Sequence, residues 1–130
     1  MRILAIALSG LQAARTRLGA AAENTVHILD RGPKEKVFHA RSVTAAPAAG
    51  GGVVAHVGER NPAVVPLPDP GAPAGAETFA PNVDPAVEAV EMIRARAAFA
   101  AAARLVRAED ERQRHLLDIL EDGGRAPSAR

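Results

Sequence analysis

The stretch that decides the fold is FAPNVDPAVEAVEMIRARAAFAAAARLVRAEDERQRHLLDIL, residues 79–120. Asp84 followed by Pro85 is typical of a helix N-cap with proline at the first helical position. Neither proline nor glycine occurs again until Gly123. The stretch therefore predicts one long C-terminal helix within residues 82–122, about 55 Å long at 1.5 Å per residue. A flexible tail is expected at residues 123–130.

Apolar residues recur along this helix at intervals of seven. One series runs through Met92, Phe99, Val106, Gln113 and Leu120. A second series follows three positions later, at Ala95, Ala102 and Leu116, with Glu109 interrupting it. The pattern predicts a heptad-like seam with small residues at the second position. Glu109 is expected on a solvated face, because it belongs to a run of consecutive acidic residues.

A second helix is predicted at the N terminus, in residues 1–32. Its apolar residues recur at helical spacing, at Leu4, Leu8, Leu11, Leu18 and Ala22. Gly10 and Gly19 each weaken the isolated helix by roughly 1 kcal/mol relative to alanine. Because each helix has one apolar stripe, we expect the two to pair as a coiled-coil-like hairpin. Part of each stripe would then remain for a partner subunit.

The middle of the chain, residues 33–81, is rich in proline and glycine and is predicted to form a small β domain. Two segments have strand-like alternation, KVFHARSVT (36–44) and GGVVAHVGE (51–59). The glycines at 50–52 suit a loop that tolerates a change of length. The prediction is a mainly α protein whose small β-rich middle projects from the paired helices.

The composition excludes several classes of function. The net charge of +1 gives no reason to expect a nucleic-acid partner, and the absence of cysteine removes disulfides and thiolate metal sites. No apolar run is long enough to span a membrane, and the run 3–8 is too short for a cleaved signal peptide. Much of the 48% hydrophobic content is alanine, which buries little area, so stability is expected to depend on association.

No arrangement of residues predicts catalysis, a cofactor or a metal site. His39 and His56 lie on the two predicted strands and could meet across a hairpin, but exposed or sheet-face positions are the simpler interpretation. The two other histidines, His27 and His115, have no metal-ligand spacing. The chain is therefore expected not to be an enzyme.

The chain has helical termini around a centre rich in proline and glycine. In this it resembles the flagellar basal-body rod proteins, most closely the FlgC family of the proximal rod. The N-terminal signature of that family is matched at Ser9, Gly10, Leu11, Ala13, Arg17, Leu18, Ala22 and Asn24. The segment DPGAP (69–73) is similar to a central family motif. The segment PNVD (81–84) resembles the opening of its C-terminal helix, and its later positions are matched at Glu88, Met92, Ile93 and Phe99.

The resemblance implies a structural axial subunit that polymerises through its terminal helices in the periplasmic rod. It implies export through the flagellar type III apparatus without a cleaved signal, partners that are other rod proteins and copies of itself, and no direct membrane insertion. The residues expected to pack between subunits are Leu4, Leu8, Leu11, Leu18, Asn24, Val87, Met92, Phe99, Val106, Leu116 and Leu120. The alternative function is a small helical adaptor or a flagellar export chaperone. A small secreted enzyme is a third and weaker possibility.

Overall fold

The computed structural model describes residues 2–73 and 75–123 and contains two long helices with a small β region between them. The elements are α1 (Arg2–Val26), β1 (Arg41–Pro47), β2 (Val53–Glu59), β3 (Val64–Pro66), β4 (Phe79–Pro81) and α2 (Pro85–Gly123). The predicted combination of long terminal helices and a β-rich middle is confirmed. Most of the predicted tail, residues 124–130, lies outside the described residues.

The β region consists of two antiparallel two-stranded sheets. In the first sheet, β1 and β2 form a hairpin whose register places Thr44 opposite His56. His39 precedes β1 and lies instead beside Glu59, with 3.2 Å between Nδ1 and Oε2. The two histidines expected to meet across the hairpin therefore do not. In the second sheet, β3 pairs with β4, and Val64 lies opposite Pro81.

The helices α1 and α2 pack side by side and run antiparallel. Near the start of α1, Leu4 shares a cavity with Val106. Gly10 faces Ala102, since a Cβ added at Gly10 would lie 3.5 Å from the Ala102 Cβ. At the other end of α1, Asn24 lies near the first turn of α2. This arrangement agrees with a helical hairpin, and its coiled-coil-like geometry stays a prediction.

Small residues, and not leucines, form the contact between the helices. Several buried positions are spaced by seven residues or a multiple of seven, at Ala7, Ala14 and Ala21 in α1 and at Glu88, Ala95 and Glu109 in α2. The expected stripes do not cover each other in the single chain: Leu8 is 52% exposed and Phe99 is 47% exposed. Alanine and glycine allow the two backbones to approach closely, and this contact turns the larger side chains toward solvent.

The first sheet lies along α1 and does not project from the helices. Asn24, near the end of α1, is hydrogen-bonded to Arg41 at the start of β1. The backbone N–H of Val53, at the start of β2, donates to the Ser9 Oγ at 3.1 Å. The hairpin therefore spans much of α1, because side chains near both ends of the helix bind its backbone.

The glycine turn of the hairpin is fitted to α1. Gly50, Gly51 and Gly52 all have positive φ, which side chains other than hydrogen disfavour. A Cβ on Gly51 would lie 3.3 Å from the Ile6 Cδ1, and one on Gly52 would collide with the Ser9 side chain. The expectation of a loop that tolerates changes of length stays a prediction, and the contacts of this turn with α1 count against it.

We expect Gly52→Ala to lower the free energy of unfolding by about 2 kcal/mol, because it combines backbone strain with a steric clash. Gly50→Ala should cost less, since Gly50 has positive φ but no neighbour within 4 Å of an added Cβ. Gly58→Ala, without either feature, should change stability by under about 0.5 kcal/mol. Urea unfolding followed by circular dichroism measures all three. Equal effects of the three changes would contradict the fitted turn.

Candidate subunit interface

Most of the residues predicted to pack between subunits are exposed in the single chain. The exposed ones are Leu4, Leu8, Leu18, Val87, Phe99, Leu116 and Leu120. The half-buried ones are Leu11, Met92 and Val106. Asn24 is the exception, because it is buried and bound within the chain. The leucines of α1 are thus available to a partner, as a subunit-packing role requires, and that role stays a prediction.

The two apolar stripes meet at one edge of the helix pair. Leu4 of α1 and Val106 of α2 line the same cavity, together with Glu109 and Gln113. Both apolar side chains are only partly covered there. A partner side chain placed at this edge would therefore contact both helices at once.

The C-terminal part of α2 extends past the start of α1. From Asp110 to Gly123 every residue of α2 is exposed. Leu116 continues the seven-residue series of the helix contact beyond Glu109, and Leu117 and Leu120 lie nearby on the helix surface. These leucines are 46%, 60% and 71% exposed, respectively. The face of α2 that α1 covers up to Glu109 is therefore uncovered from Asp110 onward.

Asn24 fastens the first sheet to α1. Its Nδ2 donates to the backbone carbonyl of Arg41 at 3.0 Å, and the backbone N–H of Arg41 donates back to its Oδ1 at 2.8 Å. The amide therefore pairs with one residue of β1 as a neighbouring strand would. Asn24 is 1% exposed, and the Arg41 side chain is turned to Glu23, with 2.9 Å between Nε and Oε2.

A buried ion pair joins the β region to the start of α2. Nη2 of Arg60 donates to Oε1 of Glu88 at 2.6 Å, and Nη1 donates to the backbone carbonyl of Asn82 at 2.8 Å. Asn82 in turn donates through Nδ2 to the carbonyl of Pro62 at 2.8 Å. Asp84 caps the helix by accepting from the N–H of Ala86 at 2.8 Å. The segment PNVD thus fixes where α2 begins.

Glu109 is a second buried acid, at the far end of the helix contact. The Nε and Nη2 of Arg112 donate to its two carboxylate oxygens at 2.9 and 2.6 Å, and Gln113 donates to Oε1 at 3.3 Å. These bonds, led by those from Arg112, lower the pKa of Glu109 from 4.5 to about 2. The expectation of a solvated Glu109 is wrong, because the acid faces α1 while its neighbours Asp110 and Glu111 face solvent.

Replacing Arg112 by Gln should raise the pKa of Glu109 toward its ordinary value, because the strongest donors are lost. In the unchanged chain, the stability linked to Glu109 is fully present above pH 4.5 and is lost as the pH falls toward 2. The variant should lack most of that contribution even at neutral pH, because its folded and unfolded pKa values are then similar. NMR titration of the carboxyl carbon measures the shift, with Arg96→Gln, an exposed arginine more than three turns away on α2, as the control. An unchanged pKa in Arg112→Gln would contradict the assignment.

The described residues offer neither a cluster of metal ligands nor a membrane-spanning helix. No group of three or more acidic or histidine side chains in residues 2–73 and 75–123 is placed to hold a metal ion. None of the helices in this part of the chain is long and apolar enough to cross a membrane.

Sequence reasoning missed the residues that join the elements. Arg60 and Glu88 are far apart in the chain, and no local pattern indicates that they meet. Glu109 with Arg112 was visible as a pair three positions apart on a helix, but its burial depends on α1. A usable signal was the seven-residue interval itself, which links Glu88, Ala95 and Glu109.

One comparison with known proteins bears on this surface. Residues 80–119 match the family model described as the C-terminal region of flagellar basal body rod FlgEFG proteins. The match begins in β4 and covers most of α2, so this segment is similar to the corresponding part of those rod proteins. It supports the family that the sequence resembles, without distinguishing FlgC. No curated protein matches the chain.

Proposed function

We propose that the chain is a structural axial subunit of the flagellar basal-body rod, in the proximal rod, and that it polymerises through α1 and α2. The observation that carries the proposal is the match of residues 80–119 to the C-terminal region of rod proteins. The matched segment also exposes large apolar side chains, including Phe99, Leu105 and Leu116, as α1 does. The segment that is similar to rod proteins is thus also one that exposes an apolar surface.

The burial pattern supports an assembled state. Among the described residues, every buried apolar residue apart from Pro81 is alanine or valine, whereas large apolar residues such as Ile3, Leu8 and Ile93 are exposed. Each leucine or isoleucine that a partner covers would contribute roughly 1.5–3 kcal/mol. Association would therefore bury the side chains that the single chain leaves in water.

The same pattern suits export in an unfolded state through the flagellar type III apparatus, without a cleaved signal. A core of alanine and valine buries little apolar area per residue, so unfolding such a chain requires little work. Growth of the rod would then add stability that the monomer lacks, because subunits that bind only folded chains shift the folding equilibrium. Its partners would be copies of itself and other rod proteins.

Replacing Leu8 by Asp tests the proposal in cells. Leu8 is 52% exposed, so the variant should fold, while a charge on the packing surface should prevent incorporation. In a strain that lacks the gene, the unchanged chain should restore swimming and Leu8→Asp should not, although both accumulate equally. Ala76→Asp, at an exposed position outside both helices, is the control and should swim.

Swimming at the control level with Leu8→Asp, together with full incorporation into basal bodies, would contradict a packing role for the leucine stripe. If the chain acts instead as an adaptor or export chaperone, it should remain soluble and bind an exported protein. Immunoblots of the basal-body and soluble fractions of the same strains separate these outcomes.

A further inference from the structure

One side of α2 carries charges that have no ion-pair partner among residues 2–73 and 75–123. The basic members are Arg96, Arg104 and Arg107, and the acidic members are Glu111, Asp118, Glu121 and Asp122; together they form the charged stripe. All are exposed. The ion pairs that α2 makes among the described residues are Arg60–Glu88, Glu91–Arg94, Glu109–Arg112 and Asp110–Arg114. None of them involves a member of the stripe.

The members of the stripe share one face of the helix. At 100° per residue they fall within a sector about 100° wide. The buried positions Glu88, Ala95 and Glu109 lie on another side, toward α1. The stripe is therefore an exposed surface that α1 leaves largely open, although Arg107 also lines the cavity beside Leu4 of α1.

Arg114 lies on the same face among the acidic members, where it is paired with Asp110; the signs of the members of the stripe itself are separated along the helix. Its basic members all precede residue 108, and its acidic members all follow residue 110. The spacing of the two groups also corresponds: Arg96 and Glu111 are 15 residues apart, Arg104 and Asp118 are 14, and Arg107 and Asp122 are 15. Four turns of an α-helix contain about 14.4 residues and rise about 22 Å. A displacement of four turns therefore superimposes the two groups.

We infer that a second copy of this chain docks along the charged stripe, parallel to the first and displaced by about four helical turns. The acidic end of one α2 then lies against the basic middle of its neighbour. This inference rests on the proposed function, because open-ended growth requires a contact between two different surfaces. The same stripe disfavours parallel pairing without displacement, which places arginine against arginine and acid against acid.

An antiparallel pair is the competing arrangement of two copies. It would bring the acidic end of each α2 toward the basic middle of the other, but it closes after two copies and offers no surface for a third. The displaced parallel contact leaves one free basic middle and one free acidic end on every pair. Charge reversal affects both arrangements alike, so cross-linking is the test that tells them apart.

Charge reversal of the purified full chain tests the pairing of the two groups. R104E/R107E and D118R/D122R should each self-associate at least about tenfold more weakly than the unchanged chain in about 20 mM salt, judged by sedimentation velocity. In about 0.5 M salt the difference should shrink, because exposed charges are screened. The fourfold variant R104E/R107E/D118R/D122R should recover self-association, and so should an equal mixture of the two double variants. R94E, whose position lies off the stripe, is the control.

Cross-linking tests the displacement, since the chain contains no cysteine of its own. Four turns of displacement place residue 89 of one copy beside residue 103 of the next. A mixture of A89C and A103C chains should therefore form a disulfide, and a mixture of A103C and D122C, which an antiparallel pair centred on the same charges would join, should not. A sample of A89C alone, or of A103C alone, forms a disulfide only if the two copies pair without displacement. Each of these samples should therefore remain uncross-linked.

The inference is overturned if the unchanged chain stays monomeric at high concentration, if the fourfold variant fails to recover, or if A103C joins D122C in place of A89C joining A103C. These results would leave the proposed function standing, because rod incorporation is scored separately in basal bodies. If the chain is missing from basal bodies but shows the displaced cross-link, the proposed function fails and the contact remains.

Discussion

Arg60→Met is expected to lower the free energy of unfolding by about 3 kcal/mol, because it leaves a buried carboxylate without its partner. Glu88 is 2% exposed, and its Oε1 lies 2.6 Å from the Arg60 Nη2. The change also removes the bond from Nη1 to the carbonyl of Asn82, so the start of α2 loses its tie to the β region. Urea unfolding followed by circular dichroism measures the loss.

Two further variants isolate the cause of this loss. Arg94→Met breaks the pair with Glu91, in which the arginine side chain is 68% exposed, and should cost under about 0.5 kcal/mol. Arg60→Met combined with Glu88→Leu should regain a large part of the loss, because the unpaired buried charge is gone. If Arg60→Met and Arg94→Met have equal effects, the Arg60–Glu88 pair does not join the elements.

Asn24→Leu is expected to cost about 3 kcal/mol, because a side chain of similar size leaves the N–H and the carbonyl of Arg41 without partners. Both groups lie at the start of β1, so the hairpin should separate from the end of α1. Hydrogen exchange at the Arg41 amide should accelerate together with the fall in the urea midpoint.

The control for this change is Thr25→Ala, on the next residue of α1. Its hydroxyl donates to the carbonyl of Ala21 within the same helix, so its loss should cost under about 0.5 kcal/mol. If Asn24→Leu left the exchange of the Arg41 amide unchanged, Asn24 would not be the fastener between α1 and the first sheet.

The long helices were predictable because their signals are local. Asp84 and Pro85 mark the start of α2, and the structure begins the helix at Pro85 with the cap in place. The interval of seven was also readable. The sequence did not show which positions of this interval face α1. That choice depends on how closely the two backbones approach, and alanines such as Ala95 allow the closest approach. A rule that assigns the largest apolar residues to the seam selects Phe99 instead.

Other features could not be predicted because they depend on distant parts of the chain. The conformation of Gly52 follows from the position of Ser9, more than forty residues earlier, whose hydroxyl accepts from Val53. The burial of Glu88 depends on Arg60 in the same way. Asn24 was expected to pack between subunits and instead binds β1 within the chain. Nothing near Asn24 in sequence identifies Arg41 as its partner.

The most direct test of the central proposal is the content of purified flagellar basal bodies. Basal bodies from cells that carry the unchanged chain would be freed of filament and membrane and analysed by quantitative mass spectrometry. If the chain is an axial subunit, it should be present in several copies per particle and should resist salt washing. Its presence only in the soluble fraction, or its complete loss on washing while the known rod proteins remain, would contradict the proposal.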